Sequence, residues 1–245
     1  MTEDQKTYAE SGYLVMGQAF SGDKLTSLLG TLCQRLSNAV TGSDSVDELV
    51  MAAEAENHKI VYEAAQSVGS AASTYRLLGD GGFLDNVCQI TGFRESELHI
   101  MPLYLIIQLP SDERFDYGWH QDRAYYDWCD EMATIWLPVN RPATATTGTI
   151  SVIPGSHRKS ARESETYLRS GFFRQIEARV EPDEAAAHKV LELNPGECCI
   201  MNGDLVHRSI ANRSSSPRIA GVVRLANVPA KMRYERERFF CVHKS

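Results

Sequence analysis

Leu98-His99-Ile100-Met101-Pro102-Leu103-Tyr104-Leu105-Ile106-Ile107-Gln108 is the stretch on which the reading of the fold turns. It is rich in Leu, Ile and Tyr, closes at Pro110, and reads as a β-strand. Before it the chain is helical in texture. Leu25, Leu28, Leu29, Leu32 and Leu36 recur at helical spacing, with Ser21 or Asp23 as the cap. The Ala and Glu content of 45–67 predicts a second helix, and 83–90 a shorter one ending at Gly92. After it come short strand-like runs at 132–139, 149–153, 189–193, 197–201 and 218–228. Turn residues separate them, among them Pro154-Gly155, Asn194-Pro195-Gly196 and Asn202-Gly203-Asp204. A helical preface over 1–95 and a stranded part over 98–228 predict one mainly β domain, a sandwich or small barrel, spanning 1–245. The segment 158–187 breaks the rhythm with charges of both signs and Phe172-Phe173; an insert of that length is a lid candidate. The charged, aromatic tail within 229–245 offers a surface for a neighbour.

Composition narrows the class. Of 245 residues 43% are hydrophobic, enough for a packed core, and the net charge of −7 argues against a nucleic-acid partner. No apolar run approaches membrane-spanning length, and the polar, acidic start at Met1-Thr2-Glu3-Asp4 does not support a secretory signal. The six cysteines (Cys33, Cys88, Cys129, Cys198, Cys199, Cys241) form no Cys-x-x-Cys pair, and Cys198 and Cys199 would face opposite sides of a strand. A cytoplasmic protein with reduced thiols is expected.

Within the stranded part lies His120-Gln121-Asp122, with His207 87 residues beyond His120. Two imidazoles and one carboxylate make the set that holds iron(II) while leaving coordination positions open. On an extended strand, residues two apart point the same way, so His120 and Asp122 can share one ion, with His207 arriving from another strand. His-x-Asp alone is a weak signal; its surroundings decide.

Those surroundings carry a resemblance. Trp119-His120-Gln121-Asp122, Ile135-Trp136-Leu137, the block Thr147-Gly148-Thr149-Ile150-Ser151-Val152-Ile153-Pro154-Gly155-Ser156-His157, and Asn202-Gly203-Asp204-Leu205-Val206-His207-Arg208-Ser209 together resemble the phytanoyl-CoA dioxygenase family. The resemblance runs over about 8–228 and implies a double-stranded β-helix (jelly roll) that binds Fe(II), 2-oxoglutarate and O2. It implies that His120, Asp122 and His207 hold the iron. Arg218, 11 residues past His207, falls at the family's arginine for the far carboxylate of 2-oxoglutarate, a task suited to a guanidinium fork. Ser209, Trp136 and Tyr104 fall at positions around the same pocket, and strand alternation sets Gln108 on the face of Tyr104. The alternative for Trp136 and Tyr104 is core packing. Asp122 fills the position that halogenating relatives leave to a small residue, which favours oxygenation.

The activity expected is hydroxylation of a small polar or anionic metabolite, with 2-oxoglutarate and O2 giving succinate and CO2. Arg123, Tyr125 and Tyr126, just past the metal motif, border the cavity or form an exposed strand-to-loop transition. Arg224, six residues after Arg218 and so on its face, is expected to meet an anion, and Arg224 or Arg123 to bind an acidic group of the substrate. Desaturation or cyclisation by the same centre, a non-catalytic binding jelly roll and a cupin-like isomerase are the alternatives. His157 reads as a turn anchor, and His58, His99, His188 and His243 as ordinary histidines. The oligomeric state stays open.

Overall fold

A computed structural model describes residues 1–41, 45–79, 81–114, 116–126, 128–159, 161–169 and 173–228. The tail at 229–245, with Cys241 and His243, lies outside the described residues, as does Phe172. The preface holds α1 (Glu3–Ser11), β1 (Tyr13–Met16), α2 (Gly22–Ser37), α3 (Val46–Glu56), α4 (His58–Ser67), α5 (Ala72–Leu78) and α6 (Phe83–Thr91). The stranded part follows with β2 (Leu98–Ile100), β3 (Tyr104–Gln108), β4 (Met132–Pro138), β5 (Thr149–Val152), β6 (Ser164–Arg169) and β7 (Phe173–Ala178). It ends with α7 (Pro182–Ala186), β8 (Lys189–Leu191), β9 (Cys198–Asn202), β10 (His207–Ile210) and β11 (Arg218–Asn227). None of these helices is long and apolar enough to cross a membrane.

The helix expected over 45–67 is two helices. Asn57 leaves helical geometry at φ −167° and its side chain accepts from the Lys59 amide, capping α4 as α3 ends. The strand expected over 98–108 is also divided: Pro102 interrupts it, so β2 and β3 pair with opposite ends of β11. Among the elements that went unread are α1 with its Thr2–Gln5 capping box, the four-residue β1, and α5.

The strands form antiparallel sheets that do not close. The larger runs β1-β9-β4-β11-β2, with β3 also on β11; the smaller runs β10-β5-β8. Alternation gives the larger sheet two apolar faces. Ile135, Leu137, Cys198, Ile200, Ile219 and Val223 join the helices in one core, with Leu28, Leu32 and Leu36 of α2 fully buried there. Trp136, Cys199, Met201, Ala220 and Val222 meet Ile150, Val152, Leu191 and Leu193 of the smaller sheet in another. Cys198 and Cys199 thus fall on opposite faces as expected, and the five described cysteines are free thiols. Each fully buried leucine contributes about 1.5–3 kcal/mol.

Two features bring the preface to the inner face. Helix α4 packs on β3, and Gly69 just after it comes so close that a Cβ there would lie 2.1 Å from the Leu103 carbonyl oxygen. The insert is a β6–β7 hairpin followed by α7. It is tied down where the Ala178 amide donates to the Trp119 carbonyl at 2.6 Å and the Ile176 amide to the Tyr125 hydroxyl at 2.8 Å.

Candidate metal centre

His120 and His207 exchange both backbone hydrogen bonds, at 2.9 and 3.0 Å, as an isolated antiparallel bridge. Directly opposed residues send their side chains the same way, and the two rings stand 4.1 Å apart between centroids. Asp122 is not on a strand, contrary to expectation: the chain is extended only through Gln121, and Asp122 opens a 3-10 turn, Asp122–Tyr125. The extended Gln121 is enough to return Asp122 to the side of His120. All three are buried, and their ligand atoms lie within 4.8 Å of one another.

The surroundings prepare each group. His120 Nδ1 lies 2.8 Å from the Gly118 carbonyl and His207 Nδ1 3.0 Å from the Leu205 carbonyl. A carbonyl only accepts, so each Nδ1 carries the proton and each Nε2 presents a lone pair. Burial, reinforced by the neighbouring His207, pushes the His120 pKa down to about 3, which keeps the ring neutral. Burial pushes the Asp122 carboxyl up, but the charge and hydrogen bond of the Arg224 guanidinium oppose it, and the carboxyl is held well below the usual range. Thr134 donates to Asp122 Oδ2 at 2.5 Å, and Arg224 Nη2 donates to Oδ1 at 2.8 Å. The Oδ2 atom lies 3.9 Å from His207 Nε2.

Arg218 is buried on the same sheet face, its guanidinium 5.4 Å from the centre of the Trp136 ring. Nη2 donates to Gln108 Oε1 at 2.5 Å, while Nε and Nη1 have no partner among the described residues. Burial pushes its pKa down to about 10, so it remains a cation at neutral pH. Orphaned donors on a buried cation are costly, and an anion such as a carboxylate, gripped through the Nη1 end of the fork, is the kind of partner that would offset that cost. The residues present therefore fit a ferrous ion chelated by a keto-diacid.

A cavity of about 400 Å³ opens onto the triad, a size usual for small-ligand sites. Tyr104, Trp136, Ser209, Tyr125 and Arg224, all expected at the site, line it. Arg218 and Gln108 do not: Arg218 is buried against the ring of Trp136, which lines the cavity, and Gln108 lies fully buried between Arg218 and the Ile210 carbonyl. Arg123 does not either: its Nε donates to Asp204 at 2.6 Å, tying the metal motif to the turn before His207. Arg224 meets the anion expected of it, but that anion is Asp122 of this chain rather than a substrate group. Tyr126, expected with Tyr125 to border the cavity, lines it too; Tyr117 was not expected as a site residue, nor were His58, Tyr62 and Gln66 of α4. His58, read as ordinary, lies with Nδ1 2.7 Å from Glu54. Positions 58, 61, 62, 65 and 66 make a visible helical stripe, but nothing in sequence says what the stripe faces. His157 is the turn anchor expected, 3.1 Å from the Ala9 carbonyl.

Comparison with known proteins agrees with this geometry. Residues 8–220 match the phytanoyl-CoA dioxygenase (PhyH) family, and the chain belongs to that family. A Streptomyces arenae 1-deoxypentalenic acid 11-beta-hydroxylase is 30% identical over 104 residues, 40% of this chain and 35% of the relative; the match thus spans about a third of that protein. EvdO2 from Micromonospora carbonacea var. aurantiaca, crystallised with 2-oxoglutarate, superposes with a TM-score of 0.65 at 18% identity, over 94% of this chain and 92% of its own. The epimerase SnoN from nogalamycin biosynthesis gives 0.62 at 15%, over 93% and 84%. These two similarities show a common fold, the jelly-roll form of PhyH-type oxygenases.

Proposed function

We propose that this chain is an iron(II)- and 2-oxoglutarate-dependent hydroxylase of a compact small molecule. The observation that carries the reading is the convergence of His120, Asp122 and His207 on one point, with the unpaired donors of buried Arg218 beside Trp136. When bound, iron and 2-oxoglutarate would supply oxygen activation, with the keto acid leaving as succinate and CO2 and one oxygen atom entering a substrate C–H bond. The carbonyls at Nδ1 of His120 and His207 orient both rings with Nε2 towards the metal, and burial keeps His120 neutral for that role. Asp122 is held ionised, and Arg218 would fix the far carboxylate of the keto acid. Ser209 and Trp136 line the space between.

The substrate would lie against α4 and the tyrosines. Arg123 and Arg224, the cations that favoured an anionic substrate, both pair with this chain's own carboxylates. What is left is apolar walls set with the polar tips of Tyr117, Tyr125, Gln66 and His58, which suits a neutral, hydroxyl-bearing molecule. Relatives named for 1-deoxypentalenic acid hydroxylation and for nogalamycin biosynthesis support a small-molecule substrate. The test is anaerobic titration with iron(II) and 2-oxoglutarate, followed by a metabolite panel scored for oxygen-dependent succinate. A visible charge-transfer band and a product one oxygen heavier are expected. Absence of the band in the parent chain overturns the assignment, and a product two hydrogens lighter or of unchanged mass replaces hydroxylation by desaturation or epimerisation.

A further inference from the structure

Arg224 and Thr134 stand opposite each other in the β11–β4 register, and both reach Asp122. Each takes a different oxygen: Thr134 holds Oδ2, on the side of His207, and Arg224 holds Oδ1. The guanidinium has little freedom to leave. Its Nη1 donates to the Tyr104 hydroxyl, and its carbon lies 5.2 and 5.3 Å from the ring centres of Tyr104 and Tyr126. A planar fork gripped by a phenol on one arm and a carboxylate oxygen on the other is preorganised rather than mobile.

We infer that Arg224 is a positioning residue that restricts Asp122 to coordinating metal through Oδ2 alone, and so keeps one coordination position open for oxygen. The inference rests on the function proposed above. A carboxylate left free can chelate through both oxygens and occupy two positions of a six-coordinate ion. Two histidines, a chelating aspartate and a chelating keto acid would then fill the ion completely. With Oδ1 held towards a charged donor that is itself fixed between two tyrosine rings, turning the carboxylate to chelate would strain a charge-assisted hydrogen bond in a buried site. Arg218 and Arg224 thus divide the work along one strand face: the first is positioned for the cosubstrate, the second governs the ligand that the cosubstrate must share iron with.

The experiment compares the parent chain with Arg224→Leu. Nitric oxide serves as a stand-in for oxygen on the iron(II)-loaded protein, with and without 2-oxoglutarate, read by the electron paramagnetic resonance of the iron–nitrosyl. In the parent, 2-oxoglutarate should leave nitric oxide binding intact. In R224L it should weaken that binding by about tenfold or more, the scale on which outer partners of metal ligands act. A second readout needs no cosubstrate: water-proton relaxation by bound manganese(II) should report one fewer bound water in R224L than in the parent. A merely structural residue would lower the melting temperature without changing either count. If R224L does not fold with metal present, Arg224→Lys, which keeps the charge but loses the fork, carries the same comparison. Unchanged nitric oxide binding and unchanged bound water in the folded variant overturn the inference. Should 2-oxoglutarate not bind the parent at all, the proposed function fails while the manganese comparison still decides the role of Arg224.

Discussion

Replacing Arg218 by methionine separates a cosubstrate anchor from a structural arginine, because the two roles predict opposite changes in stability. The guanidinium leaves Nε and Nη1 unpaired. At about 1.5–3 kcal/mol for each hydrogen bond to a charged group, a bidentate grip on a carboxylate contributes about 3 kcal/mol even at the low end. Arg218→Met should therefore weaken 2-oxoglutarate binding by about 100-fold. The cosubstrate-free protein loses much less. Burial pushes the Arg218 pKa down to about 10, equivalent to about 3 kcal/mol of unfavourable charge burial that the methionine removes. Against this, Gln108 Oε1 loses its donor, at a cost of about 1–3 kcal/mol. The two nearly cancel, so the metal-free variant should melt within a few degrees of the parent. The double variant R218M/Q108L, which removes the orphaned Gln108 oxygen but also the Gln108 donor to the Ile210 carbonyl, should melt close to the parent. Calorimetric titration of 2-oxoglutarate into the metal-loaded protein gives the affinity, and melting curves of the metal-free chains give the stability. Unchanged affinity in R218M, or a collapse in melting temperature of both variants, would refute the reasoning.

Three other outcomes follow from the same geometry. His120 has its folded pKa lowered to about 3, so its contribution is complete above its unfolded value near 6.5 and is lost as the pH falls towards 3. The metal-free parent should lose about 2 kcal/mol between pH 6.5 and 5, and H120Q should lack that slope in a melting series. Gly148 sits at φ +88° with the position of a Cβ only 2.4 Å from Gln108 Oε1. Gly148→Ala should cost about 1–3 kcal/mol and also weaken 2-oxoglutarate binding by displacing the partner of Arg218, which melting and titration would check together. Tyr125→Phe removes the acceptor of the Ile176 amide. It should speed amide exchange in β7 without altering metal affinity, and unchanged exchange would show that the hairpin is held by other contacts.

The legibility of this site follows strand geometry. Tyr104, Thr134, Trp136, Arg218 and Arg224 could be assigned to an inner face from period-two alternation alone. That held because the larger sheet is buried on both sides, by helices and by the smaller sheet, so a register slip would move whole rows of side chains into the wrong core. His120 and Asp122 came out correctly placed for a partly different reason, an extended Gln121 ahead of a 3-10 turn. Where alternation gave out, so did the reading: Pro102 and Asn57 each divided an element that periodicity had joined.

Partners were less legible than faces, and the arginines show why. Sequence spacing puts Arg224 on the face of Arg218 and implies that an anion must meet it, but alternation cannot say which anion. The answer depends on the pairing of β11 with β4, which sets Arg224 beside Thr134 and brings both to Asp122, 102 residues from Arg224 along the chain. The same holds for Arg123, whose Asp204 lies 81 residues away in the turn before the second histidine. Both arginines bind the metal motif to the rest of the fold, so the charge that looked like substrate recognition holds the iron ligands in place instead. Arg218 differs in kind. Its neighbours satisfy one of its donors and leave two, and no carboxylate of the described chain is paired with it. Arg123 and Arg224 each have a carboxylate of this chain as partner, and the lack of one at Arg218 supports the proposal that its anion comes from solution.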